Sequence, residues 1–278
     1  IHAKRAGKSV CQLLGGNAKS VPVYASSMQR EITPEAEAER FLALKQEFGY
    51  HSFKFRIGQE CGRDIDQWLG RTEAIVKRVR EQLGDDVTLL VDANSAYTPA
   101  KAIEVGLMLQ DYGVSHFEEP CPYWQPDWTR QVKDALDIDV SGGEQDNDMR
   151  IWQHMLDTQV VDIVQPDVCY MGGVSRTLEV ARMAEKANVP VTLHCANLSL
   201  VTLFSAHVMG AIPNAGKYLE YSIEGLDYYP WQANIFNPSF DIQNGELIMP
   251  HKPGWGIEVN AEWLALADYK VSYSGNRF

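Results

Sequence analysis

The 278-residue chain contains no apolar run of 18 or more residues, so nothing in it reads as a membrane-spanning helix. It also lacks a signal peptide, and the two absences predict a soluble, cytoplasmic protein. Cysteine is scarce. Cys11, Cys61, Cys121, Cys169 and Cys195 are odd in number, scattered and never in CxxC spacing. That argues against a disulfide framework or a zinc site and for a reducing compartment. Cys195 follows His194, but adjacent strand residues point to opposite faces, so its thiol is expected to pack outward under a helix. Positive charge is also short: 25 Lys and Arg stand against 37 Asp and Glu, a net charge of −12. Nucleic acid and anionic membranes are therefore disfavoured as partners. A site that binds a carboxylate must carry its own cations or a metal. No GxGxxG turn follows the first strand-like run, which counts against a dinucleotide fold.

What the chain does have is alternation. VPVYAS (21–26) precedes a helical stretch opened by Thr33 as cap and Pro34 at the first helical position. HSFKFRI (51–57) precedes a helix expected from about Asp64 to Leu83, ended by Gly84. VTLLVDAN (87–94), VSHFEEP (114–120), VSGGE (140–144) and VDIVQPD (161–167) follow, each leading into a helical segment. VPVTLHC (189–195) precedes LSLVTLFSAHVMGA, and KYLEYS (217–222) closes the series. Eight strand-like runs with seven helical segments between them predict an α/β fold with a parallel sheet closed into a TIM-like barrel over residues 21–225. Hydrophobic residues make up 45% of the chain, enough to fill such a core. Residues 226–278, rich in Pro, Gly, Asn and aromatics, read as an irregular carboxy-terminal extension. It holds one hairpin at DIQNGELIM, where Asn-Gly suits a tight turn.

Six ionisable residues end six successive runs: Asp92, Glu118, Glu144, Asp167, His194 and Glu220, at intervals of 26, 26, 23, 27 and 26 residues. One strand–loop–helix repeat per interval places all six on the same rim of a parallel barrel, where such folds build active sites. Asp92, Glu118 and Glu144 end three consecutive strands and converge at the mouth. Three carboxylates without cations would repel and raise one another's pKa. A hard divalent cation resolves this, and an all-oxygen donor set suits Mg²⁺. The alternative is salt bridging to lysines on neighbouring strands. Glu118 and Glu119 are adjacent, so only one faces the axis, and the residues alone do not choose between them.

Lys54 and Arg56 lie two apart on the second strand and share a face, while Phe53, Phe55 and Ile57 pack the other face against helices. Two inward cations need anions: the metal-site carboxylates, a substrate carboxylate, or both. Asp167 and His194 end adjacent strands, the pairing that fixes an imidazole tautomer and raises its basicity for general-base work. Glu220 is placed to hydrogen-bond across the site. His207 falls inside an apolar helical stretch, and His116, His154 and His251 have no evident partner.

In this order, KFR, VDAN, FEEP, GGE, QPD, LHC and LEY resemble the enolase superfamily, in its mandelate racemase-like branch. The resemblance covers nearly the whole chain and implies a (β/α)7β barrel. It also implies Mg²⁺ held by Asp92, Glu118 and Glu144, with the first Glu of the EEP motif as ligand. Asp167 and His194 would be the dyad and Glu220 the strand-eight glutamate. The implied chemistry removes the proton α to a carboxylate and stabilises an enediolate. Family members generally form symmetric dimers or octamers, so a homo-oligomer is expected. Residues 1–20, which begin without Met, look like the junction after an amino-terminal capping domain absent from this sequence, toward which the carboxy-terminal extension would pack. Many members of the branch carry Lys-x-Lys on strand two with the second lysine as a base. Here that position is Arg56, which stays protonated and is a poor base.

A one-base route is therefore expected: sugar-acid dehydration, with His194 as base and Lys54 and Arg56 holding developing charge. A lactone cycloisomerase or racemase using the same enediolate is the alternative enzyme, with Lys54 as a substitute base. A non-catalytic barrel is the alternative of another class.

Overall fold

The computed structural model describes residues 1–229, 235–266 and 268–271. Two short helices, α1 (His2–Arg5) and α2 (Val10–Leu13), precede a strand–helix alternation. Its strands are β1 (Ser20–Ser26), β2 (Ser52–Arg56), β3 (Thr88–Asp92), β4 (Val114–Glu118), β5 (Asp139–Gly142) and β6 (Ile163–Val164). The helices between them are α3 (Pro34–Phe48), α4 (Arg71–Leu83), α5 (Pro99–Asp111), α6 (Pro126–Ala135) and α7 (Met149–Asp157). Then come α8 (Val174–Lys186), α9 (Leu200–Met209) and β7 (Leu219–Ser222), which pairs parallel with β1.

Parallel pairing runs in sequence order from β1 to β6. The expected strand at 189–195 forms isolated parallel bridges instead: Val164 with Val191, Asp167 with His194, and Val191 with Ala215. Proline explains the thinning. Thr192 and His194 donate to the carbonyls of Val164 and Pro166, but Pro166 has no N–H to return a bond. These bridges lead from β6 toward β7, which pairs with β1 on the other side of the sheet.

The register is set by burial. Phe53, Phe55 and Ile57 are fully buried on the helix-covered face of the sheet, and Phe53 meets Phe41 of α3 with ring centroids 5.0 Å apart. Each such side chain contributes roughly 1.5–3 kcal/mol, and a one-residue slip would drive Lys54 and Arg56 into that layer. The pairing therefore holds Arg56 beside Asp92, Asp92 beside Glu118, and Glu118 beside Ser141.

The helix expected from Asp64 starts at Arg71. Gly70 and Asp64 both have left-handed backbone, at φ 79° and 59°. The acids of that segment cap other elements instead. Asp64 accepts from Thr98 N and Oγ1 at the start of α5 (2.6 and 2.8 Å), and Asp66 from Thr72 N and Oγ1 in α4 (2.7 and 2.9 Å).

In the carboxy-terminal extension, β8 (Phe236–Asn237) pairs with β11 (Glu258–Val259), and α10 spans Ala261–Ala265. The expected hairpin forms from β9 (Ile242–Gln243) and β10 (Glu246–Ile248), with Asn244 and Gly245 left-handed at the turn. β10 also pairs antiparallel with the start of β1. Residues 230–234, 267 and 272–278 of the expected extension lie outside the described residues. No described helix is long and apolar enough to cross a membrane.

Candidate active site

Asp92, Glu118 and Glu144, at or just beyond the ends of β3, β4 and β5, each offer a carboxylate oxygen within 4.8 Å of the others. All three are buried. Glu118 Oε1 and Glu144 Oε2 are buried with no hydrogen-bond partner among the described residues. Orphaned anionic oxygens in a converging, all-oxygen set fit a hard divalent cation. Burial raises the Glu144 carboxyl, although His194 pulls the other way. For Glu118 burial also acts upward, but the Lys54 charge outweighs it and holds the carboxyl below its usual range. Glu119 takes a left-handed backbone at φ 41° and is not one of the converging trio. Burial, then the charges of Glu144 and Glu118, push its carboxyl well above the usual range.

The cations of β2 face this cluster. Lys54 Nζ is fully buried, 2.7 Å from Glu118 Oε2, 2.8 Å from Glu220 Oε1 and 3.7 Å from Asp92 Oδ2. Burial alone would favour the neutral amine, but Glu118 and Glu220 prevail and its pKa lies well above normal. Glu220 also accepts from Ser26 Oγ (2.8 Å) and from the backbone N–H of Cys195 (2.9 Å). Burial opposes its ionisation, yet Lys54 and His194 hold its carboxyl far below the usual range. Arg56 Nη1 donates to Asp92 Oδ2 and, at 2.6 Å, to Asn94 Oδ1. Asn94 in turn donates to Asp92 from its backbone N–H (2.7 Å) and from Nδ2 (3.2 Å).

His194 Nδ1 lies 2.8 Å from Asp167 Oδ2. Asp167 Oδ1 accepts from the backbone N–H groups of Cys169 (2.7 Å) and Tyr170 (3.0 Å), so the carboxylate is fixed before it orients the ring. His194 Nε2 is 3.4 Å from Glu144 Oε2 and 3.9 Å from Glu220 Oε2. Burial disfavours the imidazolium, but Glu144, the Asp167 hydrogen bond and Glu220 outweigh it and raise the pKa to about 9. The Cys195 thiol is buried and donates to the Glu220 carbonyl (2.8 Å).

All eight residues singled out in the sequence thus meet at one rim. Sequence reasoning missed three neighbours. Arg30, in the loop after β1, donates through Nη2 to Asn94 Oδ1; no periodic pattern marks it. Tyr24 lies under the Lys54 ammonium, 5.1 Å from ring centroid to Nζ, and its strand parity with Ser26 was the available signal. His116 does have a partner: its ring Nε2 is 2.6 Å from Ser141 Oγ. Burial lowers its pKa to about 4, keeping it neutral beneath Glu118.

Residues 36–263 match the family model described as enolase C-terminal domain-like, and the chain belongs to that family. Among curated relatives, the arabinonate dehydratase of Saccharolobus solfataricus is 28% identical over 93% of this chain and 66% of its own length. The D-galactarolactone cycloisomerase of Agrobacterium fabrum is 29% identical over 98% of this chain and 71% of its own. The chain therefore spans about two thirds of the length of these relatives. A Roseobacter denitrificans protein provisionally called a racemase is 57% identical, with TM-score 0.95 over 97% of this chain and 74% of that one. The L-talarate dehydratase of Polaromonas sp. JS666, solved with Mg and L-glucarate, is 26% identical, with TM-score 0.80 over 95% and 68%. These neighbours match the α/β barrel architecture expected from the alternation.

Proposed function

We propose that the full-length protein is a Mg²⁺-dependent hydro-lyase. It would remove the proton α to a sugar-acid carboxylate and expel the β-hydroxyl as water, leaving a 2-keto-3-deoxy acid. The observation that carries this reading is His194, tied to Asp167 through Nδ1 while Nε2 faces the carboxylate cluster. Asp92, Glu118 and Glu144 would hold the ion, whose orphaned donors are Glu118 Oε1 and Glu144 Oε2. Bound there, Mg²⁺ supplies a Lewis acid for the substrate carboxylate.

The protein's own groups do the rest. Glu144 is the strongest influence holding His194 protonated, so engaging that carboxylate frees the imidazole to act as a base. His194 Nε2 takes the α-proton, a role worth typically about 10²–10⁴-fold in rate. The C–H electron pair passes to the enediolate, and Arg56 donates to that developing charge without accepting a proton. Protonated His194 returns the proton to the β-hydroxyl as its C–O bond breaks. Water leaves, and the enol tautomerises to the ketone. Lys54, pinned by Glu118 and Glu220, holds the shape of the cluster and its positive charge.

The cycloisomerase and Roseobacter relatives support a second reading, isomerisation through the same enediolate. A two-base racemisation asks for a proton carrier on the opposite face. Arg56 remains charged and Lys54 is locked by carboxylates, which favours elimination. An acid-sugar library with full-length protein and Mg²⁺ tests this, with semicarbazide trapping of keto product. Trapped product is expected. Incorporation of α-deuterium without trapped product would move the assignment to isomerase, and neither signal would leave a non-catalytic barrel.

A further inference from the structure

Among the described residues, Arg30 has no carboxylate within ion-pair distance, unlike Arg56. It and Arg56 both donate to one acceptor, Asn94 Oδ1, Arg56 doing so at 2.6 Å. Two donors sharing an acceptor sit no more than about 6 Å apart, so two like charges converge on one amide oxygen. Arg56 is answered by Asp92. Arg30 has only Asn94 as a hydrogen-bond partner among the described residues. Nε of both arginines is buried with no hydrogen-bond partner among the described residues. Burial and then the Arg56 charge lower the Arg30 pKa to about 10, against smaller opposing influences that include Glu144.

The loop that carries Arg30 is pre-set. Met28 N–H and Gln29 Nε2 donate to the two oxygens of buried Glu224 at 2.7 and 2.8 Å, and Arg40 Nη1 holds that carboxylate at 3.2 Å. Arg30 borders a cavity of about 400 Å³ that Met28, Gln29 and Tyr228 also line. The carboxylates of Glu31 and Asp227 share its edge, but both residues are exposed, where solvent and salt screen them.

We propose that Arg30 forms a subsite for a second anionic group, so that the preferred substrate is a sugar acid carrying a carboxylate at both ends. The inference rests on the sugar-acid reading above and narrows it, since relatives include both an arabinonate dehydratase and a structure holding L-glucarate. The reacting carboxylate belongs to the cluster of Asp92, Glu118 and Glu144. Arg30 stands one amide farther out, with donors to spare. Its guanidinium, engaged only by Asn94 among the described residues, can give a carboxylate oxygen a charge-assisted hydrogen bond in a partly water-excluded place.

The test is calorimetric binding to full-length protein with Mg²⁺, in a His194→Asn background that prevents turnover. The probes are glucarate, gluconate and 6-phosphogluconate. Glucarate is expected to bind at least about tenfold tighter than gluconate. Arg30→Met is expected to weaken glucarate by about 10- to 100-fold and gluconate by less than about threefold, and Arg30→Lys to recover most of the loss. Equal losses for both acids would overturn the inference and place Arg30 on the reacting carboxylate. Tighter binding of 6-phosphogluconate than of glucarate would overturn the dicarboxylate assignment. No binding by any probe would remove the sugar-acid reading itself, a result distinguishable from the loss of this subsite alone.

Discussion

Lys54 carries its charge with no solvent exposure, and three carboxylates within 3.7 Å account for it. Removing one partner of such a network leaves the others buried and uncompensated, which costs more than the network contributes net. Lys54→Met is therefore expected to destabilise the protein by about 3–5 kcal/mol, measured by urea unfolding. A change below about 1 kcal/mol would mean the carboxylates are protonated in its absence. His194 makes a second prediction. Its folded pKa of about 9 lies above the ordinary imidazole value of 6.5, so its protonated form stabilises the metal-free protein. That contribution is complete below about pH 6.5 and is lost as pH rises through about 9. In chelator, the Tm of wild type should fall more steeply between those values than that of His194→Gln. Parallel curves would contradict the assignment.

At the scale of elements, the strand ends were legible because a parallel barrel repeats at one interval and puts polar residues where each strand stops. Asp92 and Glu118 end β3 and β4, Glu144 and Asp167 lie two and three residues beyond β5 and β6, His194 sits at an isolated bridge, and Glu220 falls inside β7. Strand parity likewise put Lys54 and Arg56 inside and their phenylalanine neighbours outside. What escaped was set by tertiary hydrogen bonding rather than by period. Asp64 and Asp66 leave the helical path to cap α5 and α4, Pro166 withholds a ladder bond, and Arg30 sits on a loop shaped by Glu224 from the far end of the chain. Gly143 shows how tightly an element end can be specified. Its φ is 108°, and a Cβ there would lie 2.5 Å from Trp152 Cη2. Gly143→Ala should cost about 1–3 kcal/mol and, by displacing the adjacent Glu144, weaken Mg²⁺ binding. Unfolding and Mg²⁺ titration read the two effects, and an unchanged pair of values would show that the loop gives way without moving Glu144.

Across the whole molecule, two segments far apart in sequence, at Cys11 and Trp255, are fastened to α9 through His207. Its Nδ1 accepts from Cys11 N–H and its Nε2 donates to the Trp255 carbonyl, each at 3.0 Å, which requires a neutral ring. Burial lowers its pKa accordingly. His207→Phe would orphan both backbone groups, at about 1–3 kcal/mol each, and should lower the Tm by several degrees with the Mg²⁺ affinity retained. A Tm within about one degree of wild type would show that the clasp is dispensable. The carboxylate cluster, the cations of β2 and the Asp167–His194 dyad come from separate segments of the chain, so only the parallel packing of successive strand–helix units makes them one site. The measurement closest to that claim is α-proton exchange by the full-length protein in deuterium oxide with a sugar acid. Mg²⁺-dependent exchange is predicted for wild type, falling by about 10²-fold or more in His194→Asn while Mg²⁺ still raises the Tm of that variant. Exchange that survives in His194→Asn, or that proceeds without Mg²⁺, would contradict the account.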